Sequence, residues 1–218
     1  MASILTKTIT PDSVMSFDIN PGTLHQFLDA RAENGPRLKC VEGSVTLVSP
    51  SRPHESAGRR LEFLILAVCS ELGIGYDVLG STTWKLPFGS GDTAYEPDAA
   101  YYVQSFGLNE ENQPPDLAVE VVVTHSERKA LLAGALLKIP EVWVLDILRH
   151  RLSFFHLATR GKNQGTYQAK TTSLAFPLLR PDELLERLDD PATNVTVFHE
   201  NCREWARRVL VPRSEAGK

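Results

Sequence analysis

Two acidic residues lie within short apolar runs near the middle of the chain. Asp98 follows Glu96-Pro97 and precedes an Ala- and Tyr-rich run, and Glu120 lies inside the run from Leu117 to Val123. A carboxylate in such a run is costly to bury unless a cation or hydrogen-bond donors replace its water. The sequence therefore predicts a compensating partner for Glu120.

The spacing of the two acids suggests what that partner is. If the two runs pair as an antiparallel hairpin folded about Asn109, residues 98 and 120 lie opposite each other. Facing carboxylates repel, and a divalent cation such as Mg2+ relieves the repulsion. An arginine paired with Glu120, with Asp98 in a turn after Pro97, accounts for the same residues without a metal. The residues alone leave both explanations open.

The clearest helix in the chain opens at Ser51-Arg52-Pro53 and runs to about Leu72. Its apolar residues recur at spacings of three and four, and this stripe, extended backward, places His54 on the buried side of the first turn. Glu55 in the same turn suits the helix dipole. His54 and Glu55 are therefore candidate site residues, although a hydrogen-bonded histidine at a core edge and a surface acid that suits the dipole are the commoner explanations.

Strand and helix signals alternate along the rest of the chain. Residues 37–41 and 44–48 flank the hairpin signal Glu42-Gly43, and one strand is expected within 75–86. A helix over 126–138, with an apolar face of Leu131, Leu132, Ala135 and Leu136, precedes strands at 141–146, 151–157 and near Tyr167. Helices follow at 181–188 and 194–210, the latter with a stripe of Phe198, Cys202, Trp205 and Val209. This order predicts an α/β (α+β) fold in which a mixed β-sheet is flanked by helices, with further helices at the C-terminus.

Composition sets further bounds on the function. The 218 residues, 42% hydrophobic and 23% charged, predict a single domain over 22–210, with an N-terminal arm (1–21) and a C-terminal tail (211–218). No apolar run is long enough for a membrane span and no apolar leader is present, so a cytoplasmic location is expected. Three scattered cysteines exclude a disulfide framework or zinc site. With a net charge of -4, a nucleic-acid partner requires local positive charge.

Several short motifs accompany the two acids. They are Val48-Ser49-Pro50 before Pro53-His54-Glu55, Gly80-Ser81-Thr82-Thr83-Trp84, Ile139-Pro140-Glu141-Val142-Trp143, Ser173-Leu174-Ala175-Phe176-Pro177-Leu178 and Arg203-Glu204-Trp205. With them, residues 22–210 resemble the Uma-type family of restriction-endonuclease-like proteins, a branch of the PD-(D/E)XK nuclease superfamily. The resemblance implies a DNA endonuclease dependent on Mg2+ (or Mn2+), in which a metal-activated water attacks the phosphodiester. It assigns metal binding to Asp98, Glu120 and the backbone carbonyl of Val121, and a supporting role to His54 or Glu55.

The chain departs from the superfamily pattern at its lysine. The position two residues after the second acid is Val122, and the alternative position on the following helix is Ala130, beside Lys129; a family tyrosine on that helix is Gly134. A shift of one residue turns a helical side chain by about 100°, so Lys129 serves as the catalytic lysine only if the helix start is offset.

Three explanations follow from this departure, two of them functional and one purely structural. The first is a nuclease that uses Lys129. The second is a relative that kept the fold and binds nucleic acid or protein without cleaving, and the third is a structural domain with no metal affinity. Because cutting a duplex takes two cuts, a two-fold symmetric homodimer is also expected.

Overall fold

The structure, a computed structural model, describes residues 13–31, 35–87, 89–104, 113–123, 127–158 and 165–217. Its elements are, in chain order, β1 (Val14–Asp18), α1 (Leu24–Ala30), β2 (Arg37–Val41), β3 (Ser44–Val48), α2 (Arg52–Leu72), β4 (Tyr76–Val78), β5 (Trp84–Lys85), β6 (Ala94–Tyr95), β7 (Ala99–Val103), β8 (Leu117–Val122), α3 (Arg128–Leu136), β9 (Glu141–Asp146), β10 (Arg151–Ala158), β11 (Thr166–Lys170), α4 (Pro181–Leu188), α5 (Val195–Trp205) and α6 (Val211–Ala216). A π-helical turn, Ala206–Leu210, joins α5 to α6. The mixed α+β class is as predicted.

A five-stranded antiparallel sheet carries the N-terminal strands in the order β1-β3-β2-β6-β5. The hairpin of β2 and β3 turns at Glu42 and Gly43, whose φ angles of 50° and 82° fall in the left-handed region. Such angles are those of the two-residue turn that matches strand twist. The predicted hairpin is confirmed. Residues 14–18, which fall within the expected N-terminal arm, form β1 and pair with β3.

A six-stranded sheet carries the remaining strands in the order β11-β10-β9-β8-β7-β4. It is mixed, because β8 and β9 run parallel and the other pairs run antiparallel. In the β7–β8 pair, Ala99 lies opposite Val119 and Tyr101 opposite Leu117. Residue numbers in these pairs have the predicted constant sum, and the register extended by one residue aligns residue 98 with residue 120. The turn expected about Asn109 lies outside the described residues.

The region 75–86 differs from the single strand that was expected. It forms β4, which pairs with β7 in the six-stranded sheet, and β5, which pairs with β6 in the five-stranded sheet. Gly80 separates them with a φ of 57°, and the Thr82 hydroxyl donates to the Leu79 carbonyl across the turn. A glycine in the left-handed region ends the strand, and the chain then changes sheets.

The main core lies between α2 and the six-stranded sheet. Leu61, Leu64, Ile65 and Val68 of α2 are buried, as the stripe predicted, and they cluster with β-strand and C-terminal helix residues. A second cluster, around Tyr95, Ala118 and Ala130, lies where the two sheets and α3 meet. No helix in the described ranges is long and apolar enough to cross a membrane.

The C-terminal helices bury a different stripe from the expected one. Phe198, Cys202, Ala206 and Leu210 are buried, whereas Val209 is 36% exposed. These four buried residues are spaced four apart. The π-helical turn at Ala206–Leu210 has more residues per turn than an α-helix, so it brings Leu210 instead of Val209 to the buried side. The helix then continues as α6 through most of the expected tail.

Helix α3 also packs on a different face from the expected one. Its buried residues are the small ones, Ala130, Ala133 and Gly134, while Leu132 is 47% exposed. Small side chains let the helix approach strands of both sheets closely, namely β2, β6 and β11. A Cβ added at Gly134 would lie 2.8 Å from the Tyr167 hydroxyl oxygen, which donates to the Ile139 carbonyl at 2.7 Å.

We predict that alanine has opposite effects at two helical glycines. Gly134→Ala should lower the free energy of unfolding by about 1 kcal/mol, because Tyr167 must move and lose its hydrogen bond. Gly58→Ala in α2 should raise it by about 0.5 to 1 kcal/mol, because alanine favours the helix and the new Cβ would lie an ordinary 3.6 Å from the Val121 side chain. Urea unfolding of both variants measures the difference. A neutral or stabilising Gly134→Ala would contradict the close approach at Gly134.

Candidate functional site

Asp98 lies where the chain passes from one sheet to the other. Residues 96–98 connect β6 of the five-stranded sheet to β7 of the six-stranded sheet. The backbone N–H of Asp98 donates to the Val119 carbonyl at 3.0 Å, and its Oδ2 accepts from the Val121 N–H at 2.7 Å. Both contacts are with β8, so the Asp98 carboxylate is held beside the strand that carries Glu120.

Glu120 is almost fully buried, with a side-chain exposure of 1%. Its Oε1 accepts a hydrogen bond from the Lys39 ammonium, and its Oε2 accepts one from the Tyr95 hydroxyl at 2.9 Å. Lys39 and Tyr95 are register partners on β2 and β6. The five-stranded sheet therefore presents a cation and a hydroxyl side by side to the buried acid. Burial, followed by the charge of Glu120, raises the pKa of Tyr95, so this hydroxyl stays protonated and donates.

The sequence had left two partners open for Glu120, a metal or a protein cation. The structure supplies a protein cation, and it is a lysine from β2 instead of an arginine. The contacts of Lys39 and Tyr95 thus compensate the burial of Glu120.

His54 and Arg37 approach the other acid. His54 Nε2 lies 3.3 Å from Asp98 Oδ2, and Arg37 Nε lies 3.7 Å from Asp98 Oδ1. Burial disfavours the imidazolium, but the hydrogen bond to Asp98 and the nearby carboxylates outweigh it and raise the pKa of His54. Burial likewise opposes ionisation of Asp98, whereas His54, Lys39 and the Val121 N–H together lower its pKa. Both groups are therefore stabilised in their charged forms.

The start of α2 sets the position of His54. Ser51 caps the helix by accepting from the His54 N–H, and Pro53 occupies the first turn. His54 is 3% exposed and faces inward, as the helix phase predicted. Glu55 is more open and lies 3.8 Å from Arg37 Nη2. His54, Glu55, Arg37 and Asp98 line one cavity of about 30 Å3, which has room for a small ion or water molecules.

Lys129 lies elsewhere. Its ammonium donates to Thr46 Oγ1 at 2.7 Å and to Ser44 Oγ at 3.2 Å, both on β3. Thr46 is the register partner of Lys39, so the two lysines approach the same face of the five-stranded sheet. Of the two, Lys39 is the one that contacts Glu120. Sequence reasoning had expected the Lys129 ammonium beside the two acids. The lysine that contacts Glu120 is Lys39, and Lys129 contacts the hydroxyls of β3.

Comparison with known proteins shows the family to which the chain belongs. Residues 24–208 match the model of the Uma2 family, which is described as "Putative restriction endonuclease". The chain belongs to the Uma2 family. No curated protein matches it.

A solved structure shares the fold of this Uma2 protein. It is the crystal structure of "a putative nuclease belonging to DUF820" from Anabaena variabilis, with a TM-score of 0.50 and 17% sequence identity. The match covers 76% of this chain and 98% of the other. Since the identity is low, the likeness establishes a common nuclease-like fold and says nothing about residues or substrates.

The Val121 carbonyl, assigned to metal binding by resemblance, points to the side of β8 on which Asp98 lies in this Uma2 chain. The N–H and C=O of a strand residue point to the same neighbour in an antiparallel ladder. Because the Val121 N–H reaches Asp98, its carbonyl also points to that side. Pro97, which precedes Asp98 on that side, has no N–H to donate to that carbonyl.

The oxygen groups at this site suit a hard cation. Two carboxylates and a carbonyl are the ligand types that Mg2+ and Mn2+ favour. In the described ranges, no group of three or more His, Cys, Asp and Glu side chains is arranged to hold a metal ion. A metal at Asp98 and Glu120 would therefore need the Val121 carbonyl, water or substrate oxygens to complete its coordination.

Lys39 was missed because its strand has two faces with different surroundings. Leu38 and Cys40 are buried on one face beside α1, and Arg37 and Lys39 alternate with them. Such alternation usually places the polar residues in solvent. Here the second face is covered by α3 and by Glu120 of the six-stranded sheet, which the sequence of β2 does not reveal.

We predict that Lys39→Met lowers the free energy of unfolding by about 3 to 5 kcal/mol, because it leaves the buried Glu120 carboxylate without its cation. The double variant Lys39→Met/Glu120→Leu should recover much of that loss, since no buried charge remains. Lys129→Met, which loses only hydrogen bonds to two hydroxyls, should cost about 1 kcal/mol. Urea unfolding of the three variants tests this order. Equal losses for the two single variants would argue against the buried pair.

Proposed function

We propose that this Uma2 protein is a metal-dependent nuclease that hydrolyses phosphodiester bonds in DNA. The observation that carries the proposal is the position of Asp98, which hydrogen bonds to Val119 and Val121 hold beside the strand that carries Glu120, with Lys39 against Glu120. Asp98, Glu120 and the Val121 carbonyl would hold Mg2+ or Mn2+. When bound, such a cation supplies an activated water and offsets negative charge on the phosphate.

The remaining residues of the site supply charge and orientation. The Lys39 ammonium is a fixed positive charge in a region from which water is largely excluded, where its interaction with a developing negative charge is strongest. His54 and Arg37 approach Asp98 from the side of the cavity and orient its carboxylate. Glu55 lies at the more exposed end of the same cavity and is 3.8 Å from Arg37, so we expect it to contribute less to cleavage than His54.

A second function has its own supporting observation. Lys39 and Tyr95 satisfy Glu120, and His54, Arg37 and the Val121 N–H surround Asp98, so the two acids are compensated within the protein. A chain that no longer needs a metal to stabilise this pair would retain the fold as a nucleic-acid or protein-binding module. Metal binding and cleavage, measured separately, distinguish the two functions.

Plasmid cleavage tests the nuclease proposal. We expect the wild type to nick supercoiled DNA with Mg2+ or Mn2+ and not with EDTA, and Asp98→Asn or Glu120→Gln to abolish the reaction. Lys39→Gln should reduce the rate about 100- to 1000-fold, as for the loss of one electrostatic stabiliser. Lys129→Gln is the matched control and should cleave at nearly the wild-type rate.

Circular dichroism shows whether each variant is folded, and Lys39→Arg keeps the charge if the glutamine variant is not. Isothermal titration with Mn2+ separates the alternatives. Metal binding without cleavage would favour the binding module, and no metal affinity would leave a structural domain with internally paired acids. Equal losses from the two lysine variants would exclude a special role for Lys39.

We predict that His54→Gln and Glu55→Gln weaken cleavage less than the loss of either acid. His54 contributes one charge-assisted hydrogen bond to Asp98, so its removal should slow cleavage about 10-fold. Glu55 is half-exposed and makes only long contacts, so its removal should change the rate by less than about 3-fold. Single-turnover cleavage rates at saturating metal measure both effects. A Glu55 effect as large as that of Asp98 would instead make Glu55 a metal ligand.

A further inference from the structure

A second, larger cleft adjoins the acid site. It has a volume of about 370 Å3 and lies between the end of α1, the start of β2 and the segment from Ser81 to Lys85. Pockets that hold small ligands commonly span about 300 to 1,000 Å3. The cleft is thus large enough for one nucleotide unit, whereas the cavity beside Asp98 is not.

Arg37 connects the cleft to the acid site. Its side chain lines both cavities, with Nε 3.7 Å from Asp98 Oδ1 and Nη1 donating to Ser81 Oγ at 2.8 Å. A polymer whose reacting phosphate lies at Asp98 would therefore continue past Arg37 into the cleft. The Ser81 hydroxyl accepts from Arg37 and keeps its own proton to donate to a ligand oxygen.

The acid in the cleft wall is neutralised by the protein. Both oxygens of Glu96 accept from the Arg31 guanidinium, and the carboxylate also accepts from the Thr83 hydroxyl and the Leu38 N–H. Glu96 is 7% exposed, so these contacts replace its water. Arg31 and Glu96 form a closed structural pair, and neither is available to a ligand.

Positive charge remains on the opposite wall. Lys85, on β5, lines the cleft, and within the described ranges its ammonium has no carboxylate at salt-bridge distance. The residues that line the cleft include three cations, Arg31, Arg37 and Lys85, and two carboxylates, Asp29 and Glu96. Arg37 also lies 3.7 Å from Asp98 and 3.8 Å from Glu55, and Lys85 is the cation without such a neighbour in the described ranges. Since the whole chain carries a net charge of -4, this local excess is the kind of feature that a nucleic-acid partner requires.

We propose that this cleft binds the sugar-phosphate backbone of the DNA strand beside the phosphate that is cut, with Lys85 and Arg37 contacting phosphate oxygens and Ser81 donating a hydrogen bond. The proposal rests on the proposed nuclease function, because that function places the reacting phosphate at Asp98. It adds a binding site outside the acid pair, and the binding of the backbone is separable from cleavage.

The test measures DNA binding in EDTA, where no cleavage takes place. Fluorescence anisotropy with labelled duplex and single-stranded oligonucleotides is recorded over a range of salt concentrations for the wild type, Lys85→Gln and Lys170→Gln. Lys170 is the matched control, an exposed lysine on β11 at the far edge of the six-stranded sheet. Lys85→Gln should weaken binding about 10-fold at low salt and reduce the slope of log K against log salt by about 1. Lys170→Gln should match the wild type, and Lys85→Glu should weaken binding further.

Each result bears on one proposal. The cleft assignment would be overturned if Lys85→Gln bound DNA as tightly as Lys170→Gln, or if the wild type bound neither oligonucleotide. A selective Lys85 effect in a protein that never cleaves would support the cleft and contradict the nuclease function. Metal-dependent cleavage with no Lys85 effect on binding or on KM would support the nuclease function and contradict the cleft assignment. The preferred oligonucleotide identifies whether the cleft takes a duplex or a single strand, and unchanged thermal midpoints show that Lys85 has no structural role.

Discussion

The contact between the Lys39 ammonium and the Glu120 carboxylate is the interaction on which the site depends. Lys39 belongs to the five-stranded sheet and Glu120 to the six-stranded sheet, so one buried ion pair joins the two layers. Removing two charges from water is costly, and apolar residues of similar volume often stabilise a fold as well. Stability alone therefore does not account for the pair. Under the proposed nuclease function, the pair holds a lysine and an acid together beside the segment that carries Asp98.

The two departures from the superfamily pattern are both filled by side chains from other strands. Ala130, at the alternative lysine position, packs in the same cluster as Tyr95, which donates to Glu120. Gly134, at the tyrosine position, leaves the space that the Tyr167 hydroxyl approaches from β11. Lys39 and Tyr95 thus bring a lysine and a tyrosine to Glu120 from the five-stranded sheet.

The sequence determined features that depend on local periodicity. The hairpin at Glu42-Gly43, the phase of α2 that turns His54 inward and the register that sets residue 98 opposite residue 120 were all predictable, because each follows from turn chemistry or from a constant side-chain period. Features that depend on which element covers the second face of a strand or helix were not predictable. The sequence of β2 cannot show that the face carrying Lys39 is buried, and the apolar residues of α3 do not reveal that its small residues face the sheet. The split of 75–86 between two sheets is likewise a tertiary outcome.

The crossover at residues 96–98 explains how one short segment can serve the acid site and the cleft together. Glu96 is bonded to Arg31, Thr83 and the Leu38 N–H, which fixes the segment to the five-stranded sheet and forms part of the cleft wall. Pro97 has no N–H to direct at the Val121 carbonyl. Asp98 accepts from the Val121 N–H and turns its carboxylate to His54 and Arg37. Because the three residues are consecutive, a shift of Glu96 must move Asp98. The buried Glu96 pair therefore positions the acid site, although neither Glu96 nor Arg31 contacts the Asp98 carboxylate.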